Sequence, residues 1–361
     1  MSSKRLDADD ACPVRDGFAM PAEWTSHART LMAWPCRLEA WGSAEGMLLG
    51  RVAYAGVARA ISGFEKLTMA VRPQDREEAQ FACGKGIDFL EVELDDSWTR
   101  DIGPLFVTDE KDAVAGVHWR FNAWGNKYHG YDADSAFGRR VLEALDMRRY
   151  EAPMILEGGS VSVDGRGTLL TTEQCLLNPN RNPGLTRQQI EERLALFLGV
   201  RKIVWLGEGL QDDETDGHVD NIACFAGQRR VLVHMPEDPH SANYRVMRDN
   251  VARLRAARDA SGNGFEIIEL PEPAPRERYD GRRLEMSYVN FYFAKYGIVM
   301  PSFGDPADKH AGAIMAKLFP ERRIVQVPAS DIVQGGGGIH CITQQQPAGQ
   351  IITPDRMGRR F

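Results

Sequence analysis

GTLLTTEQCLLNPNRNPGLTRQQIEERLALFLGVRKIVWL, residues 167–206, decides the fold class. It opens on a short strand-like run, GTLLTT, and closes on a second, KIVWL. Between them Ile190, Leu194, Phe197 and Leu198 fall on one face of a helix with Thr186 as its N-cap. Gly199 ends that helix. Strand, helix, strand is the unit, and it recurs four more times. TLMAW, GMLLGRVAYAGVARAIS and KLTMAV form the first copy; AVAGVHWRF, SAFGRRVLEAL and APMIL the second. RVLVHM, SANYRVMRDNVARLRAARD and FEIIEL form the fourth; GIVMPSF, DKHAGAIMAKLF and RIVQV the fifth. A repeat of roughly 50 to 85 residues is longer than common solenoid units, so a closed pseudo-symmetric arrangement is expected over an open stack. No linker separates domains: one α/β domain over residues 15–361 is expected, after a loose segment 1–14.

Composition sets the frame. The chain has 361 residues, 43% hydrophobic and 26% charged, enough for a sizeable core without covalent staples. A formal charge of −7 argues against a nucleic-acid partner, because phosphate binding needs a basic face, and suits a small cationic one. The N-terminus carries no apolar signal region, and no uncharged apolar run is long enough to span a bilayer, so a cytoplasmic protein with no membrane partner is expected. Six cysteines lie scattered without CxxC spacing, which suggests neither a disulfide framework nor a zinc ribbon. Cys36, Cys83, Cys175 and Cys224 have apolar neighbours and read as small buried hydrophobes.

Chemistry is expected in the segments between units: DDSWTRDIGPLFV, LEGGSVSVDG, DETDGHVDNIACF, MSYVNFYFA and GGGGIHCIT. If the strands converge on an axis, so do these turns. His218 and Asp220, one residue apart, share a face if their segment is a strand. Such a pair is either an oriented base or a structural imidazole capped by a carboxylate. GGGGIHCITQQQ lacks the GK[ST] of a phosphate cradle, and the residues after Cys341 favour a strand over a helix. His340 then faces away from Cys341 and is a poor base for its thiol. In DDSWTRDIG, Trp98 beside Asp95, Asp96 and Asp101 offers an aromatic wall and acids, which a planar delocalised cation requires. Standing alone, that segment also reads as an acidic turn with Arg100 paired internally.

Together the blocks MPAEWTSHARTLMAWP, DDSWTRD, LEGGS, NPNRNPGLT, DDETDGHVDN, MSYVNFY and GGGGIHCITQQQP resemble agmatine deiminases, guanidino-group-modifying enzymes with the pentein fold, a five-fold pseudo-symmetric α/β propeller. The resemblance covers nearly the whole chain after the first 20 residues. It implies that Cys341 is the nucleophile, His218 the general acid and base, and Asp101 and Asp220 the carboxylates gripping the guanidinium, with Glu157 supporting the histidine. It places Trp98, Asp96 and Glu214 near the channel for the substrate's chain and distal ammonium, with Gly338 in the loop beside Cys341. Many members read GGGNIHC where this chain has Gly338, and histidine where it has Cys36. Neither metal nor organic cofactor is implied, and homo-oligomers are common in the family. Alternatives are a deiminase of arginine, peptidyl arginine or 4-guanidinobutyrate; a hydrolase with zinc on Cys341, His218 and Asp220; and a non-catalytic guanidine or polyamine sensor. Free arginine needs a cation for its α-carboxylate, and the acidic DDET before His218 favours agmatine.

Overall fold

Residues 11–354 are described by a computed structural model. Five small sheets share one plan. In each, two parallel strands are joined across an α-helix, as parallel pairing requires, and an antiparallel strand pairs with the first of them. The parallel pairs and their helices are His27–Ala33 with Leu67–Val71 across Ala44–Ser62, and Ala113–Arg120 with Arg149–Ile155 across Asp132–Ala144. Thr168–Thr172 pairs with Lys202–Leu206 across Arg187–Leu198, and Arg230–Met235 with Glu266–Pro271 across Tyr244–Ala256. Gly297–Ser302 pairs with Arg323–Pro328 across Pro306–Leu318.

The antiparallel partners of the second to fifth sheets are Leu105–Thr108, Ser162–Val163, Ala223–Phe225 and Tyr292–Ala294, each just upstream of its sheet. The first sheet takes its partner from the other end of the chain: Gln344–Pro347 pairs with His27–Ala33, setting Leu31 opposite Gln344. That pairing closes the fivefold arrangement. Each antiparallel strand is entered directly from one of the five glycine- and acid-rich segments.

Local sequence explains the elements. Thr186 and Gln189 form a capping box on Arg187–Leu198, Gly199 closes it at φ 71°, and Ile190, Leu194, Phe197 and Leu198 are all buried. Pro306 and the Asp305/Asp308 box start the last long helix the same way. Among the described residues, no helix is long and apolar enough to cross a membrane.

Three expectations change. Residues 1–10 lie outside the described residues, but Cys12 and Pro13 are buried and Pro13–Asp16 forms a 3-10 turn, so packed structure starts before residue 15. His218 and Asp220 are not on a strand: Val219–Asn221 is a 3-10 turn with His218 at its N-cap, and the strand begins at Ala223. The Thr215 hydroxyl accepts from the His218 N–H at 3.1 Å and Thr172 Oγ1 donates to the Gly217 carbonyl at 2.6 Å, which ties the segment into a turn. Residues 335–343 are likewise turns, and the strand starts only at Gln344.

Candidate active site

Each of the five segments delivers a side chain to one place. Thr99–Ile102 is a single helical turn carrying Asp101, and Glu157 caps the 3-10 turn Gly158–Ser160. The turn at 218–221 brings His218 and Asp220, the fourth segment brings Asn290, and the last brings Cys341. The Cys341 thiol faces the Asp220 Oδ2 at 3.5 Å and accepts from Asn290 Nδ2 at 3.2 Å. His218 Nδ1 lies 3.7 Å from Asp101 Oδ1, and its Nε2 3.9 Å from Glu157 Oε2. Asp101 accepts from Trp124 Nε1 at 2.8 Å and from the Gly159 N–H at 3.0 Å. Glu157 is held by buried Arg181, whose Nε donates at 2.7 Å.

Gly159 shows how tightly these groups converge. A Cβ there would sit 2.6 Å from His218 Nδ1 and 2.9 Å from both Asp101 Oδ1 and Asp220 Oδ2. Both His218 ring nitrogens, Asp220 Oδ1 and Glu157 Oε2 are buried without a hydrogen-bond partner. Buried polar atoms are normally paired, so this set is arranged for a polar partner from outside the fold.

A narrow cleft leads to Cys341 and Asp101, walled by Trp98, Trp124 and Tyr128, with Glu214 farther out. Trp98 is itself stacked on Trp41, with ring centres 6.1 Å apart and planes 9° from parallel. No lysine or arginine lines this cleft. Glu214 accepts from Arg278 Nη1 at 2.7 Å, from Arg282, and from the Tyr128 hydroxyl at 3.1 Å, so it is not the free carboxylate expected of it. A larger open cleft of about 750 Å³ against Glu272, Pro273 and His310 shares no residue with it.

One expected channel residue lies elsewhere, and the glycine expected beside Cys341 serves a neighbouring side chain. Asp96 is buried against Arg37 Nε at 3.1 Å and the Ser97 N–H at 2.8 Å, because its turn folds toward the helix Asp132–Ala144 rather than the cleft. Burial and the neighbouring Asp134 push its carboxyl up to about 7. Gly338 faces Asn290, where a Cβ would come within 2.3 Å of Oδ1; it lets Asn290 close on Cys341 rather than touching a ligand. Asp95 is half-buried, and its Oδ2 accepts from the Ala133 N–H at 2.8 Å at the start of a helix, so it is not a solvent-side charge. Arg100 pairs not with an acid of its own segment but with Glu23, 3.6 Å away. Cys83 and Cys175 are buried, Cys36 and Cys224 only partly. Cys175 is more than a spectator: Glu157, Cys175 and His218 each place one ligand-capable atom within 4.8 Å of the others.

Charge follows from this crowding. Burial pushes the Cys341 thiol well up, and Asp220 and Asp101 push it further, so with no cation between them Cys341 is a thiol. Burial opposes a charge on His218, but Asp101, Glu157 and Cys175 outweigh it and the imidazole is held protonated. Burial also opposes ionisation of Glu157, yet Arg181 and His218 bring it down to about 2. Burial raises Asp101, partly offset by His218.

The Porphyromonas-type peptidyl-arginine deiminase family model matches residues 19–347. An agmatine deiminase of Pseudomonas fluorescens is 43% identical over 94% of this chain and 98% of its own. The chain belongs to the agmatine deiminase family. Its fold matches the solved Enterococcus faecalis agmatine deiminase, a structure described as catalyzing its reaction, with TM-score 0.90, 35% identity and coverage of 96% and 99% of the two chains. A C. jejuni agmatine deiminase solved with substrate bound gives TM-score 0.85 at 27% identity, covering 92% and 97%. A dimethylarginine dimethylaminohydrolase, at 13% identity and TM-score 0.50, shares the fold alone. The family places an enzyme here, and the expected five-fold α/β propeller is the fold found.

The residues missed by sequence reading are Asn290, Trp124, Tyr128, Arg181 and Glu23. Asn290 had a readable signal. Site residues sit a few positions before each antiparallel strand, and MSYVNFYFA is the fourth such segment. Trp124 and Arg181 lie outside that pattern.

Proposed function

We propose that this protein hydrolyses agmatine to N-carbamoylputrescine and ammonia through a covalent intermediate on Cys341. The observation that carries this is the Cys341 thiol 3.5 Å from Asp220, with Asp101 and protonated His218 gathered at the same point. A guanidinium entering between Asp101 and Asp220 cancels the negative charge that suppresses the thiolate, so Cys341 gives up its proton to solvent as the substrate binds. Sulfur attacks the central carbon, and a C–S bond forms as the C=N π pair moves to nitrogen. His218 gives its proton to one terminal nitrogen, the C–N bond breaks, and ammonia leaves an amidino-thioether on Cys341. Water, deprotonated by the now neutral His218, attacks the same carbon; the C–S bond breaks with its electron pair returning to sulfur, the hydroxyl proton passes to that sulfur to restore the thiol, and the ureido product is released.

Agmatine fits better than arginine because the acid Glu214 lines the cleft and the nearby Arg278 and Arg282 are both paired to it rather than left for an α-carboxylate, and the relatives named above support the same choice. Glu214 is the cleft acid for the distal ammonium, which would have to displace Arg282 from it. Every step uses side chains of this chain, and no cofactor or metal is invoked. A cytoplasmic homo-oligomer with no nucleic-acid or membrane partner completes the proposal. Turnover of agmatine, arginine, 4-guanidinobutyrate and a peptidyl arginine, scored by ammonia and ureido product, tests it. Agmatine should lead by at least tenfold, on the order of one lost ion pair; equal rates on arginine would remove the substrate assignment.

A further inference from the structure

We infer that His340, clamped between Glu23 and Asp220, is a positioning residue that sets the orientation of Asp220 for the guanidinium. The inference rests on the guanidine-hydrolase reading above. Because residues 335–343 are turns rather than a strand, His340 does not point away from the site; it reaches it through Asp220. Its Nδ1 is 2.8 Å from Asp220 Oδ2, and its Nε2 is 3.0 Å from both oxygens of Glu23. A neutral imidazole has one N–H and one lone pair. Flanked by carboxylates on both nitrogens, the ring avoids aiming a lone pair at an anion only as an imidazolium donating from both sides.

The other groups facing this ring fit that state. Arg100 lies against Glu23 at 3.6 Å and sends its Nε toward the His340 carbonyl at 3.4 Å. Asn290 Oδ1 accepts from the His340 backbone N–H at 2.8 Å, which fixes where the ring starts. His27 Nε2 meets the Glu23 carbonyl at 2.8 Å while its Nδ1 faces Glu65 at 3.1 Å, and the Cys224 thiol is neutral, pushed up by burial, Glu23 and Asp220. Burial and Arg100 oppose a charged His340, but Glu23 and Asp220 overcome them. Glu23 itself is brought down to about 2 against its burial, by His340 and Arg100.

The consequence falls on Asp220. Its Oδ2 is occupied by His340, while Oδ1 is buried and unpartnered. One oxygen is anchored and the other is presented to the substrate. Glu23, from the MPAEW block, thereby acts on the site from the far end of the chain without touching it.

Two substitutions separate this role from a purely structural one. In His340→Asn the amide nitrogen falls near the position of Nδ1 and can still donate to Asp220. In His340→Gln it falls near Nε2 and can reach only Glu23. His340→Asn should keep kcat/KM for agmatine within about tenfold of the parent. His340→Gln should lose about 100-fold or more, since Asp220 loses its hydrogen-bond donor. Equal losses in the two variants would overturn the inference and leave His340 a scaffold residue.

Agmatine binding by calorimetry, with Cys341→Ser added to each chain, gives a readout without turnover: His340→Gln should bind at least about 30-fold more weakly than His340→Asn. That difference in a parent that turns over no guanidine would sink the functional reading alone; no difference sinks this one. If melting shows His340→Gln unfolded, Glu23→Gln replaces it. Removing that carboxylate should lower the pH at which His340 loses its proton and pull the alkaline limb down by about half a unit or more; an unmoved limb overturns the inference.

Discussion

Asp101→Asn should be among the most damaging isosteric changes in this chain. Both oxygens of Asp101 already accept hydrogen bonds, from Trp124 Nε1 at 2.8 Å and the Gly159 N–H at 3.0 Å. In asparagine one of these acceptors becomes an NH₂ that meets a donor, whichever way the amide is turned. The substrate guanidinium also loses a formal negative charge in a water-poor site. Removing one partner of a buried charged pair costs about 2 to 5 kcal/mol, which at about 1.4 kcal/mol per tenfold is roughly 30-fold to several thousandfold in kcat/KM. Asp220→Asn belongs in the same range, because its Oδ2 faces the N–H of His340 and its Oδ1 must grip the substrate. Asp95→Asn is the control: asparagine can still accept from the Ala133 N–H, so it forfeits mainly a favourable charge at a helix start, about 0.3–1 kcal/mol of stability. It should leave activity within about fivefold. The assay is ureido-product formation by chains shown to be folded by circular dichroism. Folded Asp101→Asn and Asp220→Asn variants retaining activity within about fivefold would place the guanidinium clamp on other acids.

Three further outcomes follow from the same geometry. Asn290→Ala frees the Cys341 sulfur and strands the His340 N–H, so kcat should fall about 10- to 100-fold at a cost of about 1–3 kcal/mol in unfolding free energy, read by urea titration; unchanged kcat would remove Asn290 from the site. Glu157 is depressed from its ordinary 4.5 to about 2, so its stabilisation, roughly 3 kcal/mol, is present above pH 4.5 and lost as pH falls toward 2; Glu157→Gln should flatten that part of the stability-against-pH curve. Activity should survive exhaustive chelation, and a guanidine-mimicking electrophile should label Cys341 before the other five cysteines, with agmatine protecting it. Labelling centred on Cys175, or loss of activity in EDTA, would shift attention to the Glu157, Cys175 and His218 cluster.

Much of the fold was legible because each unit carries its own helix face and strand runs, and the Thr186 cap and Gly199 stop marked one helix end to end. Cys341, His218, Asp101 and Asp220 were named through the family resemblance, on motifs in the segments between units, and the fold brings the four together. What could not be read was local geometry within those segments. A two-residue spacing suggested a shared strand face for His218 and Asp220, yet threonine hydroxyl bonds fold that segment into a turn. The resemblance put Asp96 and Glu214 near the channel; Glu214 does line the cleft, but the partners Arg37 and Arg278 that hold the two acids come from distant positions that spacing does not reveal. His340 looked misdirected for the same reason: its direction depends on whether the glycine run enters a strand, and the strand begins two residues later than the pattern of Ile342 and Thr343 suggested.

The central claim is that Cys341 sulfur becomes bonded to the guanidino carbon of agmatine. Acid quenching of the enzyme during steady-state turnover, followed by peptide mass analysis, tests it most directly. The account predicts that the peptide carrying Cys341, and no other cysteine peptide, gains the mass of agmatine less one ammonia, and that the gain is absent in Cys341→Ser. Full turnover with no such adduct, or an adduct on another cysteine, would contradict it.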